Sequence, residues 1–278
     1  MPPIIPSWTS LTLTQPEHLT MTTVDHLALA AQPTRPFESV PVIDISGLFG
    51  DANSRAQVAD AIRDACIHVG FFYVKNHGID EALIASTVDA ARRFFELPLE
   101  EKMELDYRKT PNRGGYFPVA QKGSVHECFE LETGINTTSN ITMVQTNIWP
   151  SQDLAPGFQE VVLKYYKALS ELSFKISSAF ALALNLPDNY FDDKVQTLPA
   201  MRLMHYPPQA EVIDNRNSGT GSHTDFQFFT MLWQDEVPAL QLRNTLGQWV
   251  NADPIPVLEI NCRDGQVIPF HLSDFDIY

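Results

Sequence analysis

The chain has 278 residues, of which 44% are hydrophobic and 19% charged, enough apolar content to bury one large core and too much for a disordered chain. Its formal net charge of -15 opposes nucleic acid and anionic membrane surfaces, which leaves small molecules as the expected partners. No apolar run reaches the length of a membrane span, and Pro at positions 2, 3 and 6 replaces the basic start and apolar run of a leader, so the expected location is cytoplasmic.

Residues 1–38 are rich in Pro, Thr and Ser without a sustained period and read as a loose arm. Apolar positions recur at helical spacing over residues 54–68 and again over 80–96, on either side of the strand-like run Phe71 to Val74. That order predicts a strand, helix, strand, helix entry. Residues 157–186 place Val161, Val162, Tyr165, Leu169, Leu172, Phe174, Ile176, Phe180 and Leu184 at helical spacing and predict one long amphipathic helix ending before Pro187. From Leu198 onward, short strand-like runs broken by Pro, Gly and Asn suit a jelly-roll barrel. Asp188, Asp192 and Asp193 lack the dense oxygen alternation and the Gly of a calcium loop, and read as a solvated helix end. Cys66, Cys128 and Cys262 are too few and too scattered for a disulfide framework or a zinc ribbon and are expected to be thiols in a reducing compartment.

The candidate chemistry lies in His223-Thr224-Asp225, within a β-branched and aromatic stretch from Gly221 to Trp233. On a strand, residues i and i+2 share a face, so one imidazole and one carboxylate would converge on one metal ion. Together with a second His from another strand they would form a facial triad, which holds ferrous iron on one side and leaves the opposite positions open. Ala239-Leu240-Gln241-Leu242-Arg243, after the polar break Gln234-Asp235-Glu236, predicts the next strand.

Several linked blocks extend this reading. They are Val40-Pro41-Val42-Ile43-Asp44-Ile45-Ser46, Gly70-Phe71-Phe72-Tyr73-Val74-Lys75-Asn76-His77-Gly78 and Phe94-Phe95-Glu96-Leu97-Pro98 with Glu100-Glu101-Lys102. Arg113-Gly114-Gly115-Tyr116-Phe117-Pro118, His126-Glu127-Cys128-Phe129-Glu130, Met201 to Pro208, Gly247-Gln248-Trp249-Val250 and Pro254-Ile255-Pro256 complete them. In order and spacing the chain resembles the Fe(II)/2-oxoglutarate-dependent oxygenases of the isopenicillin N synthase-like family over residues 39–256. The resemblance implies a mixed α/β fold, a double-stranded β-helix (jelly-roll) barrel with an N-terminal α/β portion and a long supporting helix. It divides the chain into the arm 1–38, an N-terminal region 39–150 and, over 151–278, the helix plus barrel.

It also implies Fe(2+), 2-oxoglutarate and O2, with ascorbate as an accessory reductant, acting in a monomer on a small natural product by hydroxylation, desaturation or ring closure. His223 and Asp225 match the family's iron ligands, and Tyr206 matches a phenol near the 2-oxoglutarate. His205 would alternate to the opposite strand face. His77 is expected in a turn role, His126 as a solvated side chain, and Phe226, Phe228 and Trp233 as barrel packing.

Past Pro256 the resemblance is read as stopping. In the family a second His stands about 55 residues beyond the Asp, with an Arg about ten further on that pairs with the distal carboxylate of the keto acid. His271 comes too early for that register, and Arg263 is the only Arg of the tail. The expectation is that residues 257–278 translate an unspliced intron or a frameshift, so that the barrel lacks its closing strands and exposes edges. Two alternatives stay open: a catalytically dead homologue with a binding or regulatory role, and an oxidase of the isopenicillin N synthase type that needs no keto acid.

Overall fold

A computed structural model of the chain describes residues 36–110, 114–119, 125–131, 147–194, 200–208, 219–225 and 228–262, and the backbone of 267–269 and 275–277. Nearly all of the expected N-terminal arm, together with Phe226, Arg263 and His271, lies outside the described residues.

Strand β1 (Val42–Asp44) pairs in parallel with β2 (Phe71–Lys75), and helix α1 (Ala52–His68) crosses between them. Asp51 caps α1 by accepting from the Ser54 N–H at 2.8 Å, and Asp80 caps α2 (Glu81–Phe95) by accepting from Ala82 N–H at 2.9 Å. A short helix α3 (Leu99–Met103) leads to the hairpin of β3 (Gly115–Phe117) and β4 (Glu127–Leu131). The long helix α4 (Phe158–Ala183) follows Gly157, whose φ of 73° suits a residue without a side chain. Beyond it come β5 (Met201–His205), β6 (Thr230–Gln234), β7 (Leu240–Arg243), β8 (Trp249–Asn251), β9 (Leu258–Asn261), β10 (Val267–Pro269) and β11 (Phe275–Ile277).

Among the described residues, eight strands form one sheet in the order β1-β2-β9-β6-β11-β5-β4-β3, and β10-β7-β8 form a second. Strict alternation sorts the side chains of the large sheet. Phe72, Val74, Phe129, Leu131, Leu203, Leu258 and Ile260 face α2 and α4 in the main core. Phe71, Tyr73 and Leu232 point the other way and pack on Leu240 and Leu242 of the small sheet. Phe94 binds the helix side together, with ring centroids 4.9 Å from Phe158 and 5.2 Å from Phe129. Each such fully buried ring contributes about 1.5–3 kcal/mol through removal of apolar surface from water.

This two-sheet arrangement with supporting helices is the expected jelly-roll fold, and α1, α2, α4, β2 and β7 stand where local periodicity placed them. Phe174 and Leu184, read as part of the buried face of α4, are 38% and 46% exposed. Asp188, instead of being merely solvated, pairs with Arg55 at 3.2 Å.

The tail reading is corrected at its start. Leu258–Asn261 is a central strand between β2 and β6, and its four residues are all buried. The alternation of Leu258 and Ile260 with Glu259 and Asn261 hides a strand whose polar residues also face inward. Two further strands follow it.

The cysteine reading also changes. Cys66 at the end of α1 and Cys262 just past β9 form a disulfide across a sequence separation of 196, with Cα atoms 6.0 Å apart, whereas Cys128 is a buried free thiol. Spacing along the chain could not reveal a contact made by packing α1 against the sheet. Reduction is expected to lower stability by about 2–5 kcal/mol, because the bond closes a very long loop in the denatured chain. Urea unfolding with and without a thiol reductant reads this directly. Superimposable transitions would show that the bond contributes nothing.

A polar cluster lies on the helix side of β4 and β5. Lys102 Nζ donates to Glu127 Oε2 at 2.7 Å and to the Phe95 carbonyl at 2.8 Å, Tyr116 OH also donates to Glu127, and His205 Nδ1 lies 2.7 Å from Glu127 Oε1. His205 stacks on Phe95 and so occupies the face opposite to Tyr206.

Candidate metal centre

His223 and Asp225 sit on the segment that enters β6, and several contacts fix that segment. Val125 N–H donates to the Gly219 carbonyl at 3.2 Å, and Tyr206 OH lies 3.0 Å from Thr220 Oγ1. Gly221 then turns the chain with φ of 70°, a left-handed conformation that favours glycine. The Gly221 carbonyl lies 3.1 Å from His223 Nδ1. A carbonyl can only accept, so Nδ1 carries a proton and Nε2 is the atom turned to the site.

His223 Nε2 lies 3.2 Å from Asp225 Oδ1, with the two side chains 36% and 24% exposed. The other carboxylate oxygen, Oδ2, accepts from Asn261 Nδ2 at 2.8 Å. Hydrogen bonding to Asp225 raises the His223 pKa above its ordinary value against the opposing effect of burial, and the Gly221 carbonyl adds to the rise. The His223 contact, helped by Thr230 and Asn261, holds Asp225 below the usual carboxylate value although burial acts the other way. One imidazole nitrogen and one carboxylate oxygen, each oriented by a hydrogen bond on its far atom, form a donor set that suits ferrous iron.

The two residues predicted from the sequence therefore come together on one side of the chain. Both stand after the turn at Gly221 and ahead of β6, which begins at Thr230. Tyr206 is 2% exposed and lies with Cys128 and Met204 on the inner face of the large sheet. Its hydroxyl reaches Thr220, one residue from the Gly221 turn that orients His223. His126, expected in solvent, is half-buried with its ring 5.3 Å from that of Tyr206. His77 accepts from the Ile79 N–H through Nδ1 at 3.1 Å, a turn role.

Phe228, expected in the core, is 52% exposed at the rim of a cluster with Phe180 and Phe191, because it lies before β6 begins. Trp233 packs half-buried against the main core. Among the described residues no group of three His, Cys, Asp or Glu side chains assembles. Sequence reasoning missed Asn261, Thr230 and Thr220. Only the strand alternation around Leu258 and Ile260 carried a signal for the first of them.

A two-sheet barrel carrying an imidazole–carboxylate pair is compatible with a mononuclear non-haem iron protein. Comparison with known proteins agrees. Residues 40–152 match the family model described as non-haem dioxygenase in morphine synthesis N-terminal, and residues 197–273 match that of the 2OG-Fe(II) oxygenase superfamily. The second match runs past Pro256, so the expectation that the family pattern ends there is corrected.

The chain is 34% identical over 258 residues to a 1-aminocyclopropane-1-carboxylate oxidase of Dictyostelium mucoroides, covering 79% of this chain and 70% of that protein. It is 34% identical over 244 residues to a homoarginine-6-hydroxylase of Oryza sativa subsp. japonica, covering 79% and 73%. Among solved structures, a full-length Neurospora crassa protein in complex with alpha-KG superposes with a TM-score of 0.76 at 24% identity, covering 86% of this chain and 83% of that one. The chain belongs to the 2OG-Fe(II) oxygenase superfamily and has the fold of its members. It is an oxidoreductase of the class that uses ferrous iron, 2-oxoglutarate and O2 on small molecules.

Proposed function

We propose that His223 Nε2 and Asp225 Oδ1 are two of the protein ligands of the iron, and that Tyr206 borders the 2-oxoglutarate pocket on the inner face of the large sheet. The observation that carries this reading is the 3.2 Å approach of those two atoms, with Nδ1 of the one and Oδ2 of the other already committed to Gly221 and Asn261. Iron bound there would supply oxygen activation coupled to the oxidative decarboxylation of 2-oxoglutarate to succinate and carbon dioxide. His223, oriented by Gly221, offers a neutral nitrogen, and Asp225 offers one negative oxygen. Tyr206 holds Thr220 and so keeps the turn before His223 in place.

The substrate is a small natural product that undergoes hydroxylation, desaturation or cyclisation. A 1-aminocyclopropane-1-carboxylate oxidase, a homoarginine-6-hydroxylase and the clavatol oxidase of Penicillium crustosum are relatives whose names point to compounds of that size. Residues 39–150 serve as the N-terminal region and 151–278 as the supporting helix with the barrel. The protein works as a cytoplasmic monomer, and its charge of -15 disfavours nucleic acid and anionic membranes. No described helix is long and apolar enough to cross a membrane.

The test is succinate formation from 2-oxoglutarate by purified protein with a panel of small metabolites. Succinate release that needs both added ferrous iron and Asp225 supports the reading. Substrate oxidation with iron but without any keto acid would favour the keto-acid-independent alternative.

A further inference from the structure

We propose that Asn261 and Thr230 are positioning residues that confine Asp225 to the metal through a single oxygen, keeping an additional coordination position open for the reaction. This rests on the iron-site reading given above.

Thr230 and Asn261 stand directly opposite each other across the β6–β9 ladder, on the inner face of the large sheet. Asn261 Nδ2 donates to Asp225 Oδ2 at 2.8 Å, since only the amino end of the Asn amide can donate to a carboxylate, and Thr230 stands beside it on the same face. Asn261 is 8% exposed and pairs with Phe71 on its other side, so neighbouring strands hold its backbone on both edges. The next residue, Cys262, donates its N–H to the Gly70 carbonyl at 2.9 Å and is bonded to Cys66 through its sulfur. The amide is therefore fixed before any metal arrives.

A carboxylate with both oxygens free can take a cation through either one or both, and the second mode uses up a coordination position. Here Oδ1 faces His223, while Asn261 claims Oδ2. Neutral partners serve this end better than a cationic one would. They orient the carboxylate without neutralising the charge that attracts iron.

The test compares the wild-type chain with Asn261→Ala, Thr230→Val and Thr230→Ser under anaerobic conditions. Ferrous and cobaltous affinities, the visible spectrum of the cobalt form and the thermal midpoint are measured. Asn261→Ala is expected to bind both metals about 10–100-fold more weakly, the usual effect of losing a group that orients a ligand. Its cobalt absorption should weaken as the freed oxygen raises the coordination number. Thr230→Val, nearly the same shape without the hydroxyl, should shift in the same direction, and Thr230→Ser should restore binding. Because Thr230→Val suits a strand, it tests the proposal even where Asn261→Ala does not fold.

Folded variants with wild-type affinity and an unchanged cobalt spectrum would overturn the positioning role alone. A wild-type chain that binds neither metal would overturn the iron-site reading, and this inference with it.

Discussion

Replacing His223 with Ala is expected to abolish measurable ferrous iron binding while leaving the unfolding transition of the chain essentially in place. The side chain is 36% exposed and belongs to none of the hydrophobic clusters, so truncation opens no large cavity. Its loss leaves Asp225 bonded to Asn261 but removes the nitrogen donor. Disturbing a residue that merely orients a metal ligand costs about 10–100-fold in affinity, so deleting the ligand itself should exceed that range. Asp225→Ala should match it. Anaerobic equilibrium dialysis measures both, and near-wild-type binding by either variant would move the centre elsewhere.

The largest stability effect is expected at Glu127. Its carboxylate is 5% exposed and meets Lys102, Tyr116 and His205 together, and Lys102 is itself 6% exposed. Glu127→Ala strands the Lys102 ammonium in the core next to the Phe95 carbonyl. Removing one partner of a buried ion pair costs about 3–5 kcal/mol. The double variant Lys102→Met with Glu127→Leu should recover most of that loss, because no charge then remains buried.

Burial alone would raise the Glu127 pKa, but hydrogen bonds from His205, Lys102 and Tyr116 outweigh it and hold the group below its ordinary value of 4.5. Its contribution is thus complete above that value and is lost as pH falls through the depressed folded-state value. An acid limb below about pH 4.5 should appear in the urea midpoints of the wild type and flatten in Glu127→Gln. Equal pH dependence in the two would assign the acid sensitivity to other carboxylates.

The parts of this architecture that were legible in the sequence are those whose period is local. The helical spacing over residues 157–186 led to α4 at Phe158–Ala183, and the apolar run at Phe71 led to β2. His223 and Asp225 could be read as a pair because they are two residues apart, and their side chains do meet. What escaped depends on distant partners. Asn261 supports Asp225 from 36 positions away, and Cys66 meets Cys262 across 196. Strand β9 was hidden for a related reason: Glu259 and Asn261 look like surface residues until the second sheet supplies an inner face for them. Phe228 erred in the other direction, since a hydrophobic residue two positions before a strand has no assigned face.

The most direct test of the iron-site reading is an anaerobic titration of the 278-residue chain with ferrous iron and then with 2-oxoglutarate, followed by visible absorption. The expected result is a metal-to-keto-acid charge-transfer band that saturates at one equivalent of iron and is missing in His223→Ala. A folded wild-type chain that takes up neither iron nor keto acid, or a band that survives in His223→Ala, would contradict it.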